Sequence, residues 1–334
     1  MQQVADAAGV TKITISRYLR EPARVAPDTA RRIDEALART GYMPNKQAGM
    51  LASGRSRMVA AIVPSIANSV FAETVQGLAD GLQAAGYELM LAASNYSQER
   101  EAEQIRAVLG WRPDALAITG RHHTAAARAL LRAAQAGGTP ILELWDWQGP
   151  AADFTQVGFD HAQVGRAMAR HLMARGCQRL AYVDTGVAED FRAHERGAGF
   201  QAEAGRRARV VRAGAGDAFD AGRAALASLT LADGRPRFDG VAFANDHLAF
   251  GALLEAAERG WRVPQDLALM GFGDFALGRQ LGGGLTTVRP PRREIGEAAA
   301  RLIVARLEGP DAPDAPDEGI ALPWTLIERG STAR

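Results

Sequence analysis

Four groups of polar and aromatic residues follow apolar runs of strand length: Ser65 and Asn68; Thr119, Arg121 and His123; Trp145, Asp146 and Trp147; Asn245, Asp246 and His247. Hydroxyl, amide and carboxylate groups supply fixed donors and acceptors, and the rings supply flat apolar faces. Together they suit a polyhydroxylated ligand. Taken singly, each has a plainer explanation: Asp146 ends a strand, His122 and His123 lie on a solvated loop, and Trp145 belongs to the core. Their shared place at strand ends is what favours a common site. Arg121, Arg192 and Arg196 add guanidinium groups, which match a carboxylate or phosphate through two parallel hydrogen bonds.

Signals for catalysis are weak. The G-x-G-x-x-A pattern in "GAGFQA" (Gly197 to Ala202) lies inside a helical pattern, not between a strand and a helix where phosphate binding requires it. No Walker lysine, G-x-S-x-G or H-E-x-x-H motif occurs, and adjacent His122 and His123 lack the i, i+4 spacing of helix-borne metal ligands. The expectation is a binding protein with no cofactor and no metal.

A second chemistry sits near the start, in "VADAAGVTKITISRYL". A short helix through Val4 and Ala8 reaches Gly9, which can take the positive φ of a tight helix exit, and Thr11 can cap a second helix. At 100° per residue Ile15, Tyr18 and Leu19 share one arc, whereas Lys12, Ile13, Ser16, Arg17 and Arg20 fill the other. The first arc packs and the second is presented outward. A third helix follows, with Pro27 in its first turn, Ala30, Ile33 and Leu37 on one face, and Gly41 as terminator. Such a helix-turn-helix places its second helix in the major groove, where Arg17 can bond guanine while Thr14 and Ser16 bond phosphates. One helix reads few bases, so a homodimer on a palindromic site in double-stranded DNA is expected.

Charge agrees with this division. Residues 1 to 57 carry ten basic and five acidic side chains, whereas the remainder carries 29 and 33, so a basic head precedes a mildly acidic body. A single cysteine, Cys177, excludes an internal disulfide and reads as a small buried apolar residue. No apolar run approaches the roughly 20 residues of a membrane span, and "MQQVADAAGV" lacks signal-peptide order. The expected location is the cytoplasm, with no membrane partner.

From Met58 the runs "VAAIV", "YELMLAAS", "DALAIT", "PILELW", "RLAYVD", "ARVVRA", "DGVAFA" and "LALMGF" alternate with helical patterns, which predicts parallel sheets with helices on both faces. An internal echo, "RPDALAITGR…GTPILELWD" against "RFDGVAFAND…VPQDLALMGFGD", predicts two lobes. Ligands of open parallel sheets bind beyond the carboxyl ends of the strands, so both series of strand-end loops should face one cleft.

The segments "VADAAGVTKITISRYL", "ARRIDEALARTGYMPNKQAGMLASG", "IVPSIANSVFAETVQGL", "VGFDH", "ANDHLAFGA" and "LTTVRPP", in this order, resemble the lactose-repressor (LacI/GalR) family along the whole chain. Within it the chain is most similar to the gluconate-utilisation repressors, through "GVTKITISRYLREP", "PSIANSVFAE", "TGRHHT" and "LELWD". The resemblance implies a small all-α helix-turn-helix head (1–44), a hinge helix and linker (45–57), and an α/β two-lobed, periplasmic-binding-protein-like effector domain (58–334) that also dimerises. Its lobes are expected at about 58–156 plus 287–316, and about 157–286 plus 317–334. The resemblance further implies that Lys12, Ile13 and Arg17 meet bases, that Thr14 and Ser16 hold the backbone, that Leu51 beside Ala48 enters the minor groove, and that Asn45 also contacts DNA.

For the effector site the strand-end groups give Asn68, Arg121, His123 and Asp146, and the resemblance adds the family's effector arginine at Arg196, its strand-end asparagine at Asn245, a basic residue at Arg192 and Asp274 as a substitute contact. The expected ligand is a sugar acid such as gluconate or its phosphate. Two departures from the family pattern stand out. The first-helix cap that relatives carry upstream of Gln3 has no counterpart, which points to a misassigned start or weaker DNA binding. "GFGDF" places Gly273 where many relatives have Asp, so Asp274 substitutes or the contact is absent. A regulator responding to a neutral sugar, a solute-binding protein of the same fold and a sugar enzyme are the competing readings. The basic head and the missing export signal oppose the solute-binding reading, and the absent catalytic motifs oppose the enzyme. The chain ends without a heptad segment, so a tetramer of the lactose-repressor kind is not expected.

Overall fold

A computed structural model of the chain describes residues 1–43, 54–67, 70–309 and 319–334. The chain divides into two units, Met1–Ser56 and Arg57–Arg334.

In the first unit α1 (Gln2–Ala8) ends at Gly9, whose φ of 61° is left-handed. The glycine takes this conformation without a Cβ penalty and turns the chain sharply into α2 (Lys12–Arg20). Thr11 Oγ1 accepts a hydrogen bond from Thr14 N at 3.2 Å and so caps α2. α3 (Pro27–Thr40) closes the unit. Val4, Ala5, Ala8, Ile15, Ile33 and Ala36 form its buried core, with Tyr18, Leu19 and Leu37 against it. The orphan carbonyls at the end of α1 are satisfied from α3: Arg32 donates to Ala8 O and Gly9 O, and Arg39 to Ala7 O.

The second unit holds two sheets. The first comprises β1 (Met58–Val63), β2 (Glu88–Ala93), β3 (Ala115–Thr119), β4 (Ile141–Asp146), β5 (Thr155–Phe159) and β11 (Gly319–Ala321), in the spatial order β11-β5-β4-β3-β1-β2. The second comprises β6 (Leu180–Asp184), β7 (Ala208–Arg212), β8 (Gly240–Phe243), β9 (Ala268–Phe272), β10 (Thr286–Arg289) and β12 (Thr325–Ile327), in the order β12-β10-β9-β8-β6-β7. β10 pairs with β12 antiparallel, and the other recorded pairs are parallel.

Strand periodicity decides which side each apolar residue faces. Ala60, Ile62, Leu116, Ile118 and Ile141 pack on Ile105 of α5 (Gln98–Gly110) and Leu131 of α6 (Ala125–Ala136). Val59, Ala61, Ala115, Ala117 and Leu142, one residue out of phase, belong to the other cluster. That cluster includes Leu78 and Leu82 of α4 (Ala72–Ala84) and Ile295 and Leu302 of α11 (Arg292–Glu308). The second sheet is covered by α7 (His161–Ala174), α8 (Phe191–Ala204), α9 (Ala218–Ser228) and α10 (Asp246–Glu258).

Helices α7 and α8 touch backbone to backbone. A Cβ on Gly165 would lie 1.8 Å from Arg196 O, and one on Gly199 would lie 2.1 Å from Ala162 O. No side chain other than hydrogen fits at this crossing, which fixes where Arg196 starts from.

Each of the three lobe crossings falls a few residues later than the sequence pattern predicts. β5, through Phe159, pairs with β4 and belongs to the first sheet; β10, through Arg289, pairs with β9 and belongs to the second. Gly319–Ala321, expected in the second lobe, pairs with β5 in the first sheet, and the chain crosses back only before β12. The reason is pairing: a strand goes on making ladder bonds to its end, whereas a composition shift marks only where the next helix begins. The expected hinge, with Asn45, Ala48 and Leu51, lies largely at 44–53, outside the described residues, as does Asn68.

Candidate recognition helix and effector cleft

On α2, Ile15 is fully buried and pulls one side of the helix into the core, so Lys12, Ile13 and Arg17 are exposed on the other. Ile13 is 71% exposed, an apolar side chain with no core to join. The unit's acids are engaged elsewhere. Asp28 and Glu35 sit beside Arg31, Glu21 beside Arg24, and Asp34 accepts from the Tyr18 hydroxyl. Among the described residues neither Lys12 nor Arg17 pairs with a carboxylate, so the outer face of α2 keeps its positive charge. Thr14 is half-buried, with its hydroxyl 2.9 Å from that of Thr11, and Ser16 is half-buried too.

Between the lobes of the second unit lies a cavity of about 390 Å³. Its apolar walls are Phe71, Trp145, Phe219, Phe272 and Phe275, and its polar lining includes Ser65, Tyr96, His161, Asn245 and His247. Trp145 is held by Nε1, which donates to Thr74 Oγ1 at 3.1 Å, with the Phe71 ring edge-on at 5.0 Å.

The helix α8 delivers the charge. Arg192 and Arg196, one turn apart, are 8% and 5% exposed and both line the cavity. Arg196 donates to Ala244 O at 2.9 Å, lies 3.0 Å from His161 Nδ1 and stacks 4.0 Å above the Phe272 ring. Its Nε is buried without a partner. Arg192 sits over the Phe71 ring at 5.4 Å. Among the described residues neither guanidinium forms an ion pair with a carboxylate.

Three helix N-termini, those of α8, α9 and α10, open on this cavity through Asp190, Asp217 and Asn245. Each is closed by its own cap: Asp190 accepts from Ala193 N, Asp217 from Phe219 N at 2.8 Å, and Asn245 from Leu248 N at 3.0 Å. Burial pushes both lining histidines, His161 and His247, below the usual imidazole range.

Arg192, Arg196 and Asn245 thus lie together on the cavity. Asp146 stands just behind it, 1% exposed, with its carboxylate 3.4 Å from His161 Nε2 and 3.9 Å from Arg121 Nε. Burial pushes its carboxyl up, but the His161 hydrogen bond and neighbouring Arg192 outweigh this and hold it below the usual range.

Three expectations need correction. Arg121 is neutralised, its guanidinium bonded to Glu195 of α8, and it does not line the cavity. His123 is buried between Glu101 Oε1 at 2.7 Å and Glu143 Oε1 at 3.3 Å, because two buried carboxylates require a cation. Burial pushes its imidazole down, but the two carboxylates raise it to about 9. Asp274 is buried under Arg329 at 2.5 Å, Arg289 at 2.6 Å and Arg279 at 3.1 Å, so its lone pairs are spent on a structural cluster away from the cavity.

Sequence reasoning missed Tyr96, Asp190 and Asp217. Tyr96 lies on the loop after β2, where the strand-end rule would have found it. Asp190 and Asp217 cap helices in the structure, and nothing in their sequence surroundings singled them out.

Residues 1–45 match "Bacterial regulatory proteins, lacI family", and residues 169–332 match "Periplasmic binding protein-like domain". The HTH-type transcriptional regulator GntR of Pseudomonas aeruginosa is 36% identical over 99% of this chain and 95% of its own length. This chain belongs to the lacI family. As a lacI-family protein it is a sequence-specific DNA-binding transcriptional regulator. The regulator GntR of Escherichia coli is 34% identical over 92% of each chain. The crystal structure of a LacI-family transcriptional regulator from Silicibacter pomeroyi superposes with a TM-score of 0.88 at 32% identity, covering 100% of this chain and 99% of that one. Among the described residues of this family member no helix is long and apolar enough to cross a membrane.

Proposed function

We propose that this regulator represses carbohydrate-utilisation genes from a palindromic operator, as a cytoplasmic homodimer without enzymatic activity, and is released by a sugar acid of the gluconate type or its phosphate. The observation that carries the effector reading is the pair Arg192 and Arg196. Two nearly buried guanidinium groups with no carboxylate ion pair among the described residues, in a cavity walled by aromatic rings, suit an anion with apolar and hydroxylated faces.

The mechanism is linkage. An effector that bridges the lobes favours one arrangement of the effector domain, and operator affinity falls by a coupling of about 1–3 kcal/mol. On the DNA side Lys12, Ile13 and Arg17 meet base edges, and Thr14 and Ser16 meet phosphates. By the resemblance Leu51, beside Ala48, enters the minor groove and Asn45 contacts DNA; Leu51→Ala should lower operator affinity and leave effector binding unchanged.

Titration calorimetry of the full chain with gluconate, 2-ketogluconate, 6-phosphogluconate and neutral sugars tests the effector. A gel shift on the promoter beside the gene, with and without the ligand that binds, tests release. Tight binding of a neutral sugar with none of the acids would sink the effector reading, and no shift on any palindromic site would sink the operator reading.

A further inference from the structure

We infer that the cleft takes a singly charged polyhydroxy acid and rejects one carrying a second, terminal anion, and that Asp217 is the residue that makes the distinction. The inference rests on the sugar-acid reading above and narrows it.

The charges on the lining meet different walls. Arg192 lies over the Phe71 ring at 5.4 Å, and Arg196 lies over the Phe272 ring at 4.0 Å and 3.0 Å from His161 Nδ1. Asp217 caps α9 at Phe219, whose ring stands 5.6 Å from that of His247, with the Phe275 ring 4.5 Å from the same imidazole. Asp217 is the charged group that acts on His247.

The cationic and anionic linings are also equal in number. Arg192 and Arg196 stand against Asp190 and Asp217, and both lining histidines are held towards neutrality by burial. Asp190 is buried and engaged with Ala193 N and the Thr185 hydroxyl. Asp217 is exposed to the cavity mouth and, among the described residues, forms no ion pair.

A carboxylate beside Arg192 and Arg196 would satisfy the two guanidinium groups. A phosphate on the far terminal carbon would then meet the Asp217 carboxylate on the same lining. The feature that usually receives a phosphate, an open helix N-terminus, is already closed there: the Asp217 carboxylate caps α9 through Phe219 N. Hydroxyl groups meet no such conflict, because a carboxylate accepts their hydrogen bonds.

Calorimetry of the full chain with gluconate and 6-phosphogluconate, on the protein as it stands and on Asp217→Asn, tests the inference. Asparagine caps a helix about as well as aspartate, so the variant keeps the fold and loses the charge. The native chain should bind gluconate at least tenfold more tightly than 6-phosphogluconate, and the variant should narrow that ratio at least threefold. Equal or tighter binding of the phosphate by the native chain overturns the inference and leaves the sugar-acid reading standing. A ratio unchanged in Asp217→Asn overturns the assignment to Asp217. Binding of neither acid overturns the sugar-acid reading, and this inference with it.

Discussion

Glu195, on α8 of the second lobe, accepts a hydrogen bond from Arg121 of the first lobe, and the same carboxylate oxygen lies 2.8 Å from His122 Nε2. Glu189 accepts from Gln98 N nearby, so two contacts tie the lobes on one side of the cleft. Glu195 shares its helix with Arg192 and Arg196, so any movement that breaks the tie also moves the charges that line the cavity.

Glu195→Gln should therefore favour a more open effector domain. The pair is about a quarter exposed on each side, so water screens it and its worth is about 1 kcal/mol or less. Effector affinity should fall roughly two- to fivefold, and small-angle scattering of the unliganded chain should show a larger radius of gyration. An unchanged affinity and radius would mean that the lobes are held by their cores alone.

Arg192→Gln should weaken effector binding by about 1.5–3 kcal/mol, roughly 10- to 100-fold, because a charged hydrogen-bonding group is removed. Operator binding should persist and become insensitive to the effector in a gel shift. Arg196→Gln should do the same and also lower the thermal midpoint, since Ala244 O and the Phe272 face lose their partner.

On α2, Arg17→Ala should cost about 1–3 kcal/mol at the operator and relax the preference at one base pair, read by competition gel shifts. Thr14→Ala should weaken all sites alike. Thr11→Ala removes the cap of α2 and should lower the stability of the head by about 1 kcal/mol in thermal unfolding.

His123 predicts a pH dependence. Its folded value of about 9 lies above the unfolded value near 6.5, so the folded state binds the proton more tightly. The stabilisation is fully present below about pH 6.5 and is lost as pH rises through about 9, amounting to about 3 kcal/mol at most. The thermal midpoint should fall between pH 7 and 9.5. His123→Gln should lower the midpoint at neutral pH, because Glu101 and Glu143 lose their cation, and should flatten that slope.

Much of the effector domain is legible along the chain. The apolar runs "VAAIV" and "DALAIT" mark buried strands of parallel sheets, and the strand-end rule leads to Ser65, Asn245 and the loops around the cavity. The charged residues at those ends are less legible. Asp146, Asp274 and His123 have the residue types of a sugar site, yet their partners, His161, Arg329 and Glu101, come from distant parts of the chain. Whether a charge is free for a ligand or spent on a neighbour depends on that pairing, and pairing across 15 to 55 residues leaves no local pattern.

By itself the sequence determined the helix-turn-helix head, the two βα series and the presence of guanidinium groups on one helix, because turns, caps and periodicity act over a few residues. The tertiary structure alone decided that Arg192 and Arg196 line an aromatic cavity with, among the described residues, no carboxylate ion pair, while Arg121 is neutralised by Glu195. It also placed Asp217 on the lining of the same cavity. These outcomes depend on which side chains meet across the lobes, and the energy of a buried charge is set by those neighbours more than by its own type.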